Sequence, residues 1–267
     1  MSPAPRRIVY SALFGGYEEP QAQPLAGTDG YTFVLYTDRS NLNAEGWNVR
    51  RVEPRFPADP VRSARHLKIR GENYVHEFEE SLWVDNRVVL RGHLDELFAL
   101  RGSADLAVPV HSYRGPLIDE FCAVIDSGFD DPARIRQMYR IADRMGVLGR
   151  QTLWTGMLLR GRSAGLTQAM RRWEEFLLLT SRRDQLSLHC GLAAAGLDAR
   201  TFSLDNYQSK FHVWIQPEAM GRARHIRFWR PDYRRPGLIV ADLIRASSAG
   251  RAVARRLDGL GLPLPRI

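Results

Sequence analysis

Ile8-Val9-Tyr10-Ser11-Ala12-Leu13, running into Phe14-Gly15-Gly16-Tyr17, is the stretch that decides the fold. Its first part is short, apolar and β-branched at its start, and reads as a buried strand. The glycine pair breaks the strand and lets the backbone come close to a ligand. Working outward, Tyr31 to Tyr36 reads as a second strand closed by Thr37-Asp38, and Trp47-Asn48-Val49 as a third. The spacing predicts a helix over Pro60 to Ile69, carrying Arg62, Arg65, His66 and Lys68. Ser81-Leu82-Trp83-Val84-Asp85 is a strongly apolar strand ending in an acid, and Val88-Val89-Leu90 restarts the β pattern. Strands closed by Asp or Gly and alternating with helices indicate an α/β sheet. In such sheets ligands bind outside the carboxyl ends of the strands.

From Gly115 onward the pattern turns helical. Pro116 to Asp126 fits one helix, and Asp131 to Met145 a second, with Asp130 or Asp131 as N-cap and Pro132 near the first position. Trp154 to Leu159 returns to strand character, and Leu166 to Leu179 has amphipathic helical spacing. Asp184 to Ala195 reads as a helix after a polar opening, Phe211-His212-Val213-Trp214 as a strand, and Leu238 to Ala254 as a terminal helix. The expected organisation is one domain over 1–245 and a C-terminal tail over 246–267.

The chain has 267 residues, of which 44% are hydrophobic and 10% aromatic, so a single large core is expected and disorder as the main state is excluded. No run reaches the roughly 20 apolar residues that span a bilayer. The start lacks the apolar stretch and cleavage site of a secretory signal. Cys122 and Cys190 are far apart, which argues against a disulfide framework and for a reducing, cytoplasmic setting. The net charge is +8, and it favours anionic partners. Of the 38 basic residues only Lys68 and Lys210 are lysines.

Several residues have the chemistry of a nucleotide site. Asp85 emerges from a buried strand, where a carboxylate holds a divalent cation or caps a turn with Asn86. Asp38 accepts from a ribose or nucleobase, or caps its own turn. Arg65 and Lys68 are three apart on one helix face, suited to a pyrophosphate or to solvent. Asp184, within Ser181-Arg182-Arg183-Asp184-Gln185-Leu186-Ser187, takes a proton from a sugar hydroxyl, orients it, or caps a helix. The seven histidines offer no i,i+4 zinc pair, and neither a Gly-x-Ser-x-Gly elbow nor a P-loop occurs.

Taken in order, these pieces resemble a glycosyltransferase-like domain family formerly of unknown function, with plant mucilage-related hexosyltransferase-like and bacterial members. The matching stretches are Ile8 to Tyr17, Tyr36-Thr37-Asp38, Arg65-His66-Leu67-Lys68 and Ser81 to Asp85. They continue with His111-Ser112-Tyr113-Arg114 and Glu120, and with Ser181 to Ser187. The resemblance spans roughly residues 6–195. It implies a GT-A-like fold and transfer of a hexose from a nucleotide-sugar to a glycan or other hydroxyl acceptor, in cell-surface polysaccharide synthesis. It places Phe14, Gly15, Gly16, Tyr17 and Asp38 around the nucleotide and Arg65 and Lys68 on the diphosphate. Asp85 becomes the first acid of an Asp-x-Asp-type metal motif for Mn or Mg, and Arg183, Asp184 and Gln185 line the sugar or acceptor pocket.

One departure matters. The second motif position is Arg87, and Asn86 points to the other side if the strand continues. Either a distant histidine, His212 or His225, completes a metal site, or Arg87 neutralises the leaving diphosphate and no metal is needed. Two other classes of function compete. One is hydrolysis of a ceramide-type lipid, prompted by the basic and aromatic stretch from Arg222 to Arg235, which suits peripheral contact with a membrane. The other is non-catalytic binding of an anionic ligand; no nucleic-acid motif is recognisable.

Overall fold

Seven strands form one sheet in the order β3-β2-β1-β4-β7-β6-β8. The structure is a computed structural model and describes residues 6–16, 18–216 and 248–260. Its strands are β1 (Arg7–Leu13), β2 (Tyr31–Thr37), β3 (Asn48–Arg51), β4 (Glu80–Val84), β6 (Leu106–Pro109), β7 (Met157–Arg160) and β8 (Arg200–Phe202). β3, β2, β1 and β4 run parallel, with Val9 level with Phe33 on one side and Leu82 on the other. β7 runs antiparallel to both β4 and β6, and β8 is parallel to β6. The expected α/β class is what the chain adopts.

Alternation along the strands splits the core in two, as the pleat requires. Ile8, Tyr10, Ala12 and Trp83 face the helices α1 (Pro60–Ile69), α5 (Ala164–Leu179) and α6 (Leu188–Ala194). Val9, Phe33, Leu82 and Val84 face α2 (Leu94–Ala99) and a small second sheet of β5 (Val88–Leu90) and β9 (His212–Trp214). A third cluster joins α3 (Leu117–Asp126) and α4 (Pro132–Arg144) to α6. The last described helix is α7 (Ser248–Gly259).

Helix starts follow the sequence. Asp59 caps α1 by accepting from Arg62 N at 3.0 Å, with Pro60 at the first position. Asp131, and not Asp130, caps α4. Ser163 caps α5 by accepting from Leu166 N at 3.0 Å. Each such cap contributes about 1 kcal/mol. Cys122 and Cys190 are free thiols in α3 and α6.

Some expectations are corrected. Asp184 to Ala195 is not one helix but a 3-10 turn over Asp184–Leu186 followed by α6. The Asp184 carbonyl accepts from Ser187 N at 3.2 Å, the 3-10 pattern, and from Trp173 Nε1 at 2.8 Å. Val88 to Leu90 pairs with β9 outside the main sheet. The strand expected over Trp154 to Leu159 begins only at Met157. The elements α2, β6 and β8 are too short to carry a periodic signal, and β8 is largely exposed. Residues 238–247 of the expected terminal helix, the boundary at 245, Tyr17, His225 and the stretch from Arg222 to Arg235 lie outside the described residues. Among the described residues no helix is long and apolar enough to cross a membrane.

α5 and α6 meet where α6 has a glycine. A Cβ added at Gly191 would lie 2.6 Å from Trp173 Cβ and 2.7 Å from Trp173 Cα. The backbone of α5 cannot swing aside as a side-chain tip does. Gly191→Ala is therefore expected to cost about 1–3 kcal/mol of stability, read as a lower urea midpoint. An unchanged midpoint would contradict this packing.

Candidate active site

The strand order reverses direction between β1 and β4, because the chain fills β2 and β3 on one side of β1 before crossing to β4. Such a switch point opens a crevice at the carboxyl ends of the strands. A cavity of about 340 Å³ lies there, lined by Ala12 at the end of β1, Trp83 near the end of β4, and the residues that follow β4. β4 stops at Val84, and a turn closed by Val88 N donating to Asp85 O at 2.8 Å brings Asp85, Asn86 and Arg87 all to the cavity. Asn86 is thus not on the opposite side, because the strand does not continue.

The floor is an ion network. Lys68, fully buried on α1, places Nζ 2.6 Å from Asp184 Oδ2 and 3.0 Å from Asp85 Oδ1. Arg65 Nε lies 2.9 Å from Asp184 Oδ1, one helical turn from Lys68. Thr155 Oγ1 donates to Asp184 Oδ2 at 3.0 Å, and Trp83 Nε1 donates to Asp85 Oδ1 at 2.8 Å. Burial alone would raise the Asp184 carboxyl, but Arg65 and Lys68 outweigh it and hold the group well below the usual carboxylate range. Asp184 is therefore a fixed anion and a poor proton acceptor. The segment carrying it is tied down by Asp130, which accepts from Ser181 Oγ and Arg182 N, both at 2.7 Å.

Four arginines line the cavity: Arg65, Arg87, Arg114 and Arg183. Against them stand Glu18, Asp85, Glu120 and Asp184. With Lys68 beneath, five cations face four carboxylates. Arg183 lies 4.9 Å from the Phe129 ring centre and has no carboxylate within ion-pair reach among the described residues. Its Nε is buried without a hydrogen-bond partner. On the α3 side, burial pushes the Glu120 carboxyl up, and Arg183 and Arg114 pull it only part of the way back. Burial, with Arg114, brings His111 down to about 4. His111 Nδ1 accepts from Tyr113 N at 3.1 Å, which leaves the ring proton on Nε2.

The structure brings together Arg65, Asp85, Arg183, Asp184 and Gln185 in the cavity wall, with Lys68 directly below. It does not bring every expected nucleotide residue there. Phe14 is 2% exposed and belongs to the core beneath the sheet. Asp38 accepts from Gly15 N at 3.0 Å, fixing the turn in which Gly15 has a left-handed φ of 68°. A Cβ on Gly16 would meet open space, so no neighbour crowds that position. Sequence reasoning assigned no role to Glu18, Thr155, His111, Arg114 or Glu120. The last three were legible only as matching residues, His111 and Arg114 in the loop between β6 and α3 and Glu120 in the first turn of α3.

The donors present do not fit a resident divalent cation. One oxygen of Asp85 is already shared by an ammonium and an indole N–H, and the residue two further on is an arginine. His212 is fully buried, with Nδ1 2.8 Å from Ser209 Oγ and Nε2 3.2 Å from Asn206 O, and it is not among the cavity-lining residues. Among the described residues no three His, Cys, Asp or Glu side chains cluster as a metal site needs. A second cavity, of about 400 Å³, opens beside Ser81 and Arg160 at the other end of β4. Arg160 there donates to Lys68 O at 2.7 Å and Tyr10 Oη at 2.6 Å, closing the last turn of α1.

No protein-family model matches the sequence, and a search of curated proteins gives no match. Among solved structures the chain is similar to a crystal structure of the galactosyltransferase LgtC in complex with donor and acceptor sugar analogues. The likeness is at 15% identity, covers 74% of this chain and 72% of that one, and has a TM-score of 0.40.

Proposed function

We propose that the chain is a glycosyltransferase that moves a hexose from a nucleotide-sugar to a hydroxyl of a glycan or other acceptor, with arginines in place of a resident cation. The observation that carries this reading is Arg183, a guanidinium at the switch-point cavity with no carboxylate partner among the described residues. Its neighbour Asp184 is saturated by Arg65 and Lys68. An anion entering the cavity completes the charge balance.

The chemistry follows from the leaving group. As the bond from the anomeric carbon to the diphosphate breaks, negative charge grows on the departing oxygen, and preorganised donors at that point lower the barrier. Arg183, with Arg65 and Arg87 in the same wall, supplies them. Gln185 offers an amide to the sugar hydroxyls. Asp184 is a positioning residue that holds Arg65 and Lys68 in place and stays ionised. The setting implied by the sequence resemblance is cell-surface polysaccharide synthesis.

Two measurements test this. In calorimetric titrations, UDP or GDP is expected to bind equally well with Mn²⁺ and with EDTA, and Arg183→Ala to weaken binding by roughly 10- to 100-fold, the loss of one charge-assisted contact. No binding of either nucleotide, or binding only with Mn²⁺, would overturn the reading. Separately, Asp184→Ala removes the carboxylate shared by Arg65 and the fully buried Lys68, leaving Lys68 on Asp85 alone, and is expected to cost about 3–5 kcal/mol in urea unfolding. Wild-type stability in that variant would show that the network is not what fixes the site.

A further inference from the structure

We propose that Glu120 is the catalytic base that takes the acceptor proton, and that transfer therefore inverts the anomeric centre. The proposal rests on the glycosyl-transfer reading and names the proton acceptor within that site.

Four carboxylates line the cavity among the described residues, and three of them each have two or more polar or cationic partners close by. Asp184 is gripped by Arg65, Lys68 and Thr155. Asp85 has one oxygen under both Lys68 and Trp83. Glu18 accepts from Asn86 Nδ2 at 3.1 Å and has Arg87 Nε at 3.9 Å. Glu120 differs. It stands in the first turn of α3, an element that contributes no residue to the Lys68–Asp85–Asp184 network, and is only 5% exposed. Its ion-pair contact among the described residues is Arg114 Nε, 3.4 Å from Oε2.

The groups that act on Glu120 are Arg114 from the loop before α3, and Arg183 and Asp184 from the segment before α6. Burial outweighs the two arginines, so the carboxyl is more basic than an ordinary glutamate. His111, the other candidate in the wall, has its Nδ1 lone pair taken by Tyr113 N. It can donate through Nε2–H to an acceptor oxygen but cannot remove a proton there.

The step balances. Glu120 takes the hydroxyl proton, and the acceptor oxygen's electron pair forms the bond to the anomeric carbon. The carbon–oxygen bond to the diphosphate breaks, and its pair leaves with the nucleoside diphosphate among the arginines. Attack from the side opposite the leaving group inverts the centre. The proton on Glu120 then passes to solvent.

The test uses water as acceptor and UDP-glucose, UDP-galactose and GDP-mannose as donors, following nucleoside diphosphate release and the anomer first formed by proton NMR. Glu120→Gln is expected to cut release by about 10²–10⁴-fold while binding UDP or GDP as the wild type does and keeping its melting temperature. Glu120→Asp is expected to retain an intermediate rate. The wild-type kcat/KM should rise with pH through a limb above that of an ordinary carboxylate, and Glu120→Gln should lose that limb. The first-formed sugar should have the configuration opposite to the donor's. Retained configuration, near-wild-type release by Glu120→Gln, or a wild type that binds nucleotide yet releases none at any pH would each overturn the role of Glu120. A wild type that binds no nucleotide removes the glycosyltransferase reading itself, and Glu120 with it.

Discussion

A buried ammonium shared by two carboxylates organises this molecule. Lys68 has no exposed surface, and Asp184 and Asp85 sit 2.6 and 3.0 Å from its nitrogen. An unpaired charge in that position would cost several kcal/mol, so the two acids are a large part of what fixes Lys68 there. The three residues come from α1, from the turn after β4 and from the turn before α6. One interaction therefore locks three elements around the crevice that the strand order creates. Arg160 ties the same helix end from below through the Lys68 carbonyl.

That arrangement determines what the cavity can do. Carboxylates that would otherwise draw a metal ion are spent on lysine and arginine. Their anionic charge is neutralised, and beside them Arg183 has no carboxylate within ion-pair reach among the described residues. In the proposed transfer, donors already fixed by this network need little reorganisation as charge builds on the leaving group. In the wall around His111, Arg114 and Glu120, burial pushes the Glu120 carboxyl up. Two acids of one cavity are thus shifted in opposite directions, Asp184 down by its paired cations and Glu120 up by burial.

Much of this was legible in the residues. β1, β2, β4, α1 and α4 were read close to their observed limits because each has strong periodicity or a proper cap. Asp85 and Asp184 stood out as acids at element ends, and both line the switch-point cavity. The spacing of Arg65 and Lys68 correctly put them on one helix face, but not which way that face looks. Lys68 turns inward because two acids distant in sequence await it, and no local pattern records that. The same limit hid Glu120, whose basicity comes from burial beneath a wall built by other elements. The side taken by Asn86 was left to whether the strand continues, because a strand's end is set by the turn after it, which alternation does not reveal. His212 looked like a ligand by residue type, yet its strand pairs with β5 and its ring is spent on Ser209 and Asn206.

The most direct test is a crystal structure of the full chain grown with UDP or GDP in the presence of Mn²⁺. The account predicts the diphosphate in the crevice at the ends of β1 and β4, with Arg183 bonded to its oxygens, Lys68 still between Asp184 and Asp85, and no ion on Asp85. A diphosphate bound elsewhere, or Mn²⁺ on Asp85 with Lys68 displaced, would contradict it.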